Sequence, residues 1–146
     1  MKRFAFLLLA AALLSLRPSL YAQTPKTMSL DKTLRENRWQ KRVLLLVAPT
    51  AQDADFRQQK ALLAAQASEL AERDFLVIEL LNDQLSPASR QFFIQKTGLP
   101  PTRFAAVLIG KDGGVKEKSS RPMKPEDLFG TVDKMPMRRE EMKRVK

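Results

Sequence analysis

The chain of 146 residues contains no cysteine and no histidine, and its single tyrosine is Tyr21. Without cysteine there is no disulfide and no thiolate, which excludes thiol–disulfide exchange and thiol peroxidase chemistry. Without histidine a Ser-His-Asp triad cannot form, and a typical zinc site lacks its usual ligands. General acid–base catalysis would depend on aspartate, glutamate or a lysine with a shifted pKa. We therefore expect no cofactor and no metal, and we assign no catalytic residue.

The amino terminus has the three-part layout of a secretory signal peptide. Residues 1–3 are a basic start, an uninterrupted run of eleven apolar residues extends from Phe4 to Leu14, and polar residues lead to Leu20-Tyr21-Ala22. Such a run is too short to cross a bilayer, which takes about 20 apolar residues. The pattern predicts a signal peptide over residues 1–22 with cleavage after Ala22, the alternative being an uncleaved anchor. We therefore expect a periplasmic or extracellular protein with no transmembrane segment in the mature chain.

The charge balance is basic. The chain has 26 lysines and arginines against 16 aspartates and glutamates, a net charge of +10, and six bases face two acids between Lys134 and the carboxyl terminus. A basic chain could bind an envelope or extracellular component or an anionic polymer. The simpler interpretation is that the basic segment is a solvated tail that aids solubility. No nucleic-acid partner is expected, because no aromatic residue lies among these bases.

Apolar runs without polar alternation predict strands that are buried on both faces of a sheet. They lie at Arg42–Ala48, Phe75–Leu81 and residues 104–109. Asp112-Gly113 predicts a tight, type I′-like hairpin, which returns the chain as an edge strand over residues 115–118.

Helix signals occupy the intervals between these strands. Asp53 is placed to cap a helix that runs to Glu72. Ser86-Pro87 opens a second helix that ends at Gly98, and Pro125 opens a third with acids in its first turn. A final short helix is expected over residues 137–144.

The segments outside this pattern carry fewer signals. Residues 23–33 are polar and are predicted to be a flexible leader. Residues 31–40 predict a short helix or an irregular segment, with Trp39 packed into the core. Met135, Met137 and Met142 are expected to fill gaps in the core.

The resulting order is strand, helix, strand, helix, strand, strand, helix, followed by the short helix. Apolar strands separated by helices belong inside a sheet that is covered on both faces. The order predicts an α/β protein and resembles the thioredoxin-like three-layer sandwich, which has a central four-stranded mixed sheet.

Several motifs resemble those of DUF4174, a family of uncharacterised exported domains. They are Leu34 with Trp39 ahead of Arg42-Val-Leu-Leu-Leu, then Glu72-Arg73-Asp74, then Val107 to Lys116, and Met135-Pro-Met-Arg138 with Glu141-Met142. The resemblance covers roughly residues 30–143. It implies a thioredoxin-like fold, similarity to domains of animal extracellular-matrix proteins and a distant relation to peroxiredoxins, but no established activity. Residues 34–146 are therefore predicted to be a DUF4174-like domain with a basic carboxyl-terminal segment.

Two groups of residues are candidates for function. A ligand patch is predicted where thioredoxin-like relatives keep their reactive thiol, at Thr50, Asp53, Asp55, Pro101, Thr102 and Arg103. Helix capping is the alternative for Asp53 and Asp55, and Pro101 is a candidate for the cis bond that thioredoxins have before their third strand. The motif residues are predicted to be structural, with a charged ligand patch as the alternative: Trp39, Arg42, Arg73, Gly110, Lys111, Asp112, Gly113, Gly114, Lys116, Met135, Pro136, Met137 and Arg138.

These patterns favour an exported, cysteine-free thioredoxin-like domain that is a non-catalytic binding or structural module with an unknown partner. The alternative is a hydrolase-type enzyme that uses carboxylates and lysines on an anionic substrate, with Asp53 and Asp55 nearest to the expected site.

Overall fold

The structure is a computed structural model that describes residues 21–23 and 29–145. The predicted signal peptide lies outside the described residues, apart from Tyr21 and Ala22. The strands are β1 Tyr21–Gln23, β2 Arg42–Ala48, β3 Phe75–Leu81, β4 Ala105–Ile109 and β5 Val115–Ser119; the helices are α1 Leu30–Asn37, α2 Ala54–Ala64, α3 Ala67–Glu72, α4 Pro87–Thr97, α5 Pro125–Asp133 and α6 Pro136–Arg144.

The strands form one mixed sheet in the order β1-β3-β2-β4-β5. Strand β2 pairs in parallel with β3, so that Arg42 lies opposite Phe75. It pairs antiparallel with β4, so that Val43 lies opposite Ile109. The predicted α/β class and mixed sheet are confirmed, with β5 at one edge. Strand β1 is an addition: it pairs in parallel with β3, and the predicted cleavage after Ala22 falls within it.

The sheet has a hydrophobic core on each face because successive residues of a strand point to opposite faces. All seven residues of β2 are buried. Leu44 and Leu46 belong to the core beneath α2, α3 and α5, and Val43, Leu45 and Val47 belong to the core beneath α1 and α4. This arrangement is the predicted three-layer sandwich.

Local sequence signals set several helix ends. The side chain of Ser86 accepts a hydrogen bond from the Ser89 amide, Pro87 follows at the first helical position, and Gly98 ends α4 with φ +71°. The single helix predicted between Asp53 and Glu72 is wrong, because it divides into α2 and α3. At the break Gln66 leaves helical geometry with φ −122° and ψ 30°, and its amide bonds to the Leu63 carbonyl. No proline or glycine marks this position.

Helix α1 begins within the segment that was predicted to be a flexible leader. Ser29 caps α1 and Leu30 is buried, with its amide donating to the Ser89 hydroxyl at 3.1 Å. Residues 30–33 are therefore helical and do not belong to a flexible leader. The prediction that Trp39 packs into the core is also wrong, since its side chain is 58% exposed.

The hairpin between β4 and β5 is present, but its turn differs from the predicted type. The Gly113 amide donates to the Gly110 carbonyl at 2.9 Å, and Gly113 alone within the turn has a positive φ, +84°. A type I′ turn needs positive φ at both central residues. The left-handed Gly113 itself closes the observed turn, and the strand pairing has a register irregularity at Leu108 and Ile109, just before the turn.

No helix of the described residues is both long enough and apolar enough to cross a membrane.

Candidate binding site

The two ends of the sheet carry different sets of polar residues. One end, here called the loop end, consists of residues 49–55 after β2 and residues 101–103 before β4. The opposite end, here called the network end, consists of the start of β2, the start of β3, the β4–β5 turn and α6. Because β4 runs antiparallel to β2, the end of β2 and the start of β4 lie together at the loop end.

At the loop end, polar side chains accept hydrogen bonds from nearby backbone amides. Asp53 accepts a hydrogen bond from the Phe56 amide at 2.9 Å and so caps α2. The Thr50 hydroxyl accepts from the Gln52 amide at 3.2 Å. Asp55 lies exposed in the first turn of α2. These residues stabilise the turn from β2 into α2.

In the other half of the predicted patch, Arg103 lines a separate depression, and Pro101 and Thr102 do not. Pro101 is buried, and no described residue, Pro101 included, has a cis peptide bond. Thr102 is exposed, and Arg103 lines a depression with Leu99, Pro100, Phe104, Ala105, Lys118, Ser119 and Ser120. Thr50, Asp53 and Asp55 do not line this depression. The structure therefore does not bring the six residues of the predicted patch into one cavity.

At the network end, buried cations meet carboxylates from distant parts of the chain. Arg42 is 1% exposed and forms two hydrogen bonds to Glu141, at 3.1 and 3.3 Å. Lys111 is 8% exposed and bonds to Glu141 at 2.7 Å and to Asp74 at 2.8 Å. Glu141 thus holds α6 against the start of β2 and the turn that follows β4.

A second carboxylate, Asp133, joins two more buried arginines. Arg73 donates two hydrogen bonds to it, at 3.0 and 2.9 Å, and Arg138 donates one at 3.1 Å. Arg138 also bonds to Glu72 at 2.7 Å, and the Arg73 guanidinium lies 4.5 Å from the centroid of the Phe129 ring. We call the whole set the ion-pair network, and its members are Arg42, Glu69, Glu72, Arg73, Asp74, Lys111, Asp133, Arg138 and Glu141.

The network lowers the pKa of its two central carboxyl groups. For Asp133, the hydrogen bond from Arg73 is the largest cause that lowers the pKa; burial opposes it, and the bond from Arg138 adds to it. For Glu141, burial is the largest single influence and raises the pKa. Hydrogen bonds from Lys111 and Arg42 nevertheless outweigh burial, so the pKa of Glu141 lies below its ordinary value.

Beside the network is a cavity of about 360 Å³. We call it the network cavity, and its lining residues are Arg42, Gly110, Lys111, Asp112, Lys116, Thr131, Lys134, Met135, Pro136 and Met137. Eight of them belong to the sequence motifs, and Thr131 and Lys134 are the other two. Two motifs that are distant in sequence, around Gly110 and around Pro136, therefore face one space.

The turn that borders this cavity is held by side chains. Asp112 accepts from the Gly114 amide at 2.9 Å and pairs with Lys116 at 2.7 Å. The hydrogen bond from Lys116 is the largest cause that holds the pKa of Asp112 below its ordinary value. A Cβ atom on Gly110 would lie 2.6 Å from the Lys116 side chain, so glycine lets Lys116 lie across the turn.

Strained backbone also concentrates at the network end. Trp39 and Asp74 are the non-glycine residues with positive φ in the described part of the chain, at +68° and +54°. They precede β2 and β3. The Trp39 amide bonds to the Lys111 carbonyl, and the Asp74 carbonyl accepts from the Arg42 amide. Left-handed geometry is unfavourable by roughly 1–2 kcal/mol per residue and persists where the surroundings fix it.

The methionines of the predicted core differ in exposure. Met135 is partly buried and packs against the core. Met137 is 39% exposed, so its assignment to the core is wrong. It lies in the first turn of α6 and lines the network cavity.

Sequence reasoning missed several residues of this site. Glu141 belongs to a sequence motif but was given no role, and Lys134 was counted only as part of the basic carboxyl-terminal segment. The sequence assigned nothing to Thr131 and Asp133. Gln59 was also missed: it is fully buried, and its amide bonds twice to the backbone of Met123. Lys111 and Arg42 bond to Glu141, and Arg73 bonds to Asp133, each across 30 or more positions of the sequence. No local sequence pattern therefore indicates these partners.

The fold is thioredoxin-like, as the similarity to three solved structures shows. A thioredoxin from Fasciola hepatica is 19% identical with a TM-score of 0.50, covering 70% of this chain and 88% of that one. A yeast mitochondrial 1-Cys peroxiredoxin is 12% identical with a TM-score of 0.55, covering 79% and 95%. Mitochondrial thioredoxin 3 from Saccharomyces cerevisiae is 12% identical with a TM-score of 0.54, covering 79% and 95%. Identities this low show the fold alone.

The chain belongs to the DUF4174 family, a domain of unknown function, which matches residues 33–141. It is similar to coiled-coil domain-containing protein 80 of Danio rerio, with 27% identity over 141 residues. The match covers 80% of this chain and 16% of the zebrafish protein, so the chain corresponds to a small part of that relative.

Proposed function

We propose that this chain is an exported, non-catalytic module of thioredoxin-like fold that acts by binding, and that the network cavity is its binding site. The observation that carries this proposal is the meeting of the two motifs around Gly110 and Pro136 at one cavity. A concave site of this size with a few polar groups and an apolar wall is typical of small-molecule recognition.

The loop end supports the non-catalytic part of the proposal. Two of its polar side chains, Thr50 and Asp53, accept hydrogen bonds from backbone amides, and the chain has no cysteine to act as nucleophile. Among the described residues, no three acidic side chains are grouped so that they could hold a metal ion. The alternative, a hydrolase that uses Asp53, has no geometric observation in its favour.

A substrate panel separates the two functions. We expect the purified chain to show no turnover of ester, phosphoester or glycoside substrates, of insulin disulfides or of peroxide, above a control without protein. Asp53→Asn is the matched variant, because asparagine also caps a helix while it removes the carboxylate. An activity that Asp53→Asn abolishes without changing the melting temperature would overturn the proposal in favour of the hydrolase.

Export is tested separately. The apolar run from Phe4 to Leu14 supports a cleaved signal peptide. The intact mass of protein recovered from the periplasm or the medium of an expressing bacterium should correspond to a chain that begins at Gln23. Retention of the full-length chain inside the cell would contradict this part.

A further inference from the structure

The side chains around the network cavity indicate which chemical class of ligand it takes. Basic groups reach it from three elements: Arg42 from β2, Lys111 and Lys116 from the hairpin, and Lys134 from the end of α5. Asp112 is the one carboxylate among the lining residues. The lining is therefore predominantly cationic.

The acids that balance the buried cations do not line the cavity. Glu141 and Asp74 pair with Arg42 and Lys111, yet neither is among the lining residues. The cavity therefore presents the cations of these pairs without their carboxylates. The carboxylates bonded to Arg42 and Lys111 at 2.7–3.3 Å offset much of the charge of these two cations, so the attraction for an anionic group comes chiefly from Lys134.

One cation of the lining, Lys134, is uncommitted. The Lys134 side chain is exposed and makes no hydrogen bond or ion pair with any residue that the structure describes. The Nε atom of Arg42 is buried and has no hydrogen-bond partner within the described chain. The burial of this Nε atom places it out of reach of a molecule in the cavity, so Lys134 is the uncommitted cation of the lining.

The remaining wall is apolar. Met135, Pro136 and Met137 form one side of the cavity, and Met137 is 39% exposed. Methionine side chains are flexible and adapt to differently shaped apolar partners. Exposure of this side chain on the same cavity as the uncommitted Lys134 indicates a ligand with both an apolar part and a negative charge.

We propose that the network cavity binds a small amphipathic monoanion, with its anionic group beside Lys134 and its apolar body against Met135 and Met137. The volume of about 360 Å³ lies near the lower end of the range for small-molecule sites, which favours a short-chain or single-ring carboxylate over a polymer. This inference rests on the proposed function and adds the class of ligand to it.

Three probes test the two halves of this ligand class. Octanoate has an apolar body and a carboxylate, 1-octanol lacks the charge, and acetate lacks the apolar body. Isothermal titration of the purified chain should show octanoate binding at least about tenfold tighter than either of the other probes. Equal binding of octanoate and 1-octanol would overturn the proposal, and so would an absence of octanoate binding.

Two substitutions at opposite ends of α5 test whether octanoate binds in the network cavity. Lys134→Gln removes the uncommitted cation and should weaken octanoate binding about threefold to fivefold, as expected for one partly solvated charge pair. Lys124→Gln is the control, because Lys124 is also exposed and caps the other end of α5 but does not line the cavity. It should leave octanoate binding unchanged. Equal effects of the two variants would overturn the assignment to this cavity.

A third variant tests the apolar wall. Met137→Gln has nearly the same shape and removes apolar surface, so it should weaken octanoate binding about threefold or more and leave acetate unaffected. An unchanged octanoate affinity would overturn the apolar half of the proposal. These outcomes are independent of the substrate panel with Asp53→Asn, so the class of ligand can fail while the non-catalytic function stands.

Discussion

At the loop end of the sheet, Thr50 and Asp53 bond to amides two and three residues further along the chain. At the network end, Arg42 bonds to Glu141 across 99 positions and Arg73 bonds to Asp133 across 60. The local bonds shape one turn, whereas the distant bonds attach α6 and the end of α5 to the sheet. Cavities border both ends of the sheet, so the two ends differ in the range of their polar bonds: at the network end these bonds join distant segments of the chain.

The largest effect on the free energy of unfolding is expected from a substitution at Glu141. Glu141→Gln removes the carboxylate that faces the buried cations Arg42 and Lys111, and one-sided loss of a buried pair is strongly unfavourable. Because the Glu141 side chain is 23% exposed, we expect a loss of about 2–4 kcal/mol in the free energy of unfolding, slightly below the range for fully buried pairs. Urea unfolding followed by circular dichroism measures it.

Glu140 supplies the matched control on the same helix. Its side chain is 61% exposed and pairs with Lys143, so Glu140→Gln should change the free energy of unfolding by no more than about 0.5 kcal/mol. Similar losses for both variants would show that α6 is not held by the network.

A fall in pH should reduce the stability that the carboxylates of the ion-pair network contribute. The pKa values of Asp133 and Glu141 lie below their ordinary values of 3.8 and 4.5. The unfolded chain therefore binds more protons than the folded chain as the pH falls through these values, and stability decreases with falling pH. The contribution of these groups is complete above about pH 5 and is lost below their folded pKa values.

Urea midpoints between pH 3 and pH 7 measure this dependence. Asp133→Asn should make the urea midpoint depend less on pH. The variant lacks this carboxyl group, whose pKa is lowered chiefly by the hydrogen bond from Arg73. Parallel curves for the variant and the unmodified chain would show that the network does not determine the acid response.

A smaller effect is expected at the loop end. Asp53→Ala removes the cap of α2 and should lower the free energy of unfolding by about 1 kcal/mol, whereas Asp53→Asn keeps a capping side chain and should be nearly neutral. Thermal melts of the two variants distinguish them. A large loss with Asp53→Asn would mean that the carboxylate itself has a role beyond capping.

The elements that the sequence predicts best are those defined by neighbouring residues. Ser86, Pro87 and Gly98 bound α4 because each acts on the backbone within its own turn. Continuous apolar runs gave the three buried strands, since burial on both faces leaves no polar alternation. The thioredoxin-like order follows from these elements.

The candidate site could be predicted only in part. The motif residues were identified, but the cavity between them depends on α6 folding back to the start of β2. Trp39 shows the same limit: an aromatic residue near a buried strand is usually buried, but here a left-handed backbone and the bond to the Lys111 carbonyl turn its side chain to solvent. Partners so far apart in sequence produce no periodic pattern.

The most direct test of the account is the position of ligand binding on the sheet. In a protein with labelled methionine methyl groups, octanoate should shift the signals of Met135 and Met137, which line the network cavity. The signal of Met123, whose backbone bonds to Gln59 of α2, should remain in place. Shifts confined to Met123, or an unchanged spectrum at saturating octanoate, would contradict the claim that the network end is the binding end of this protein.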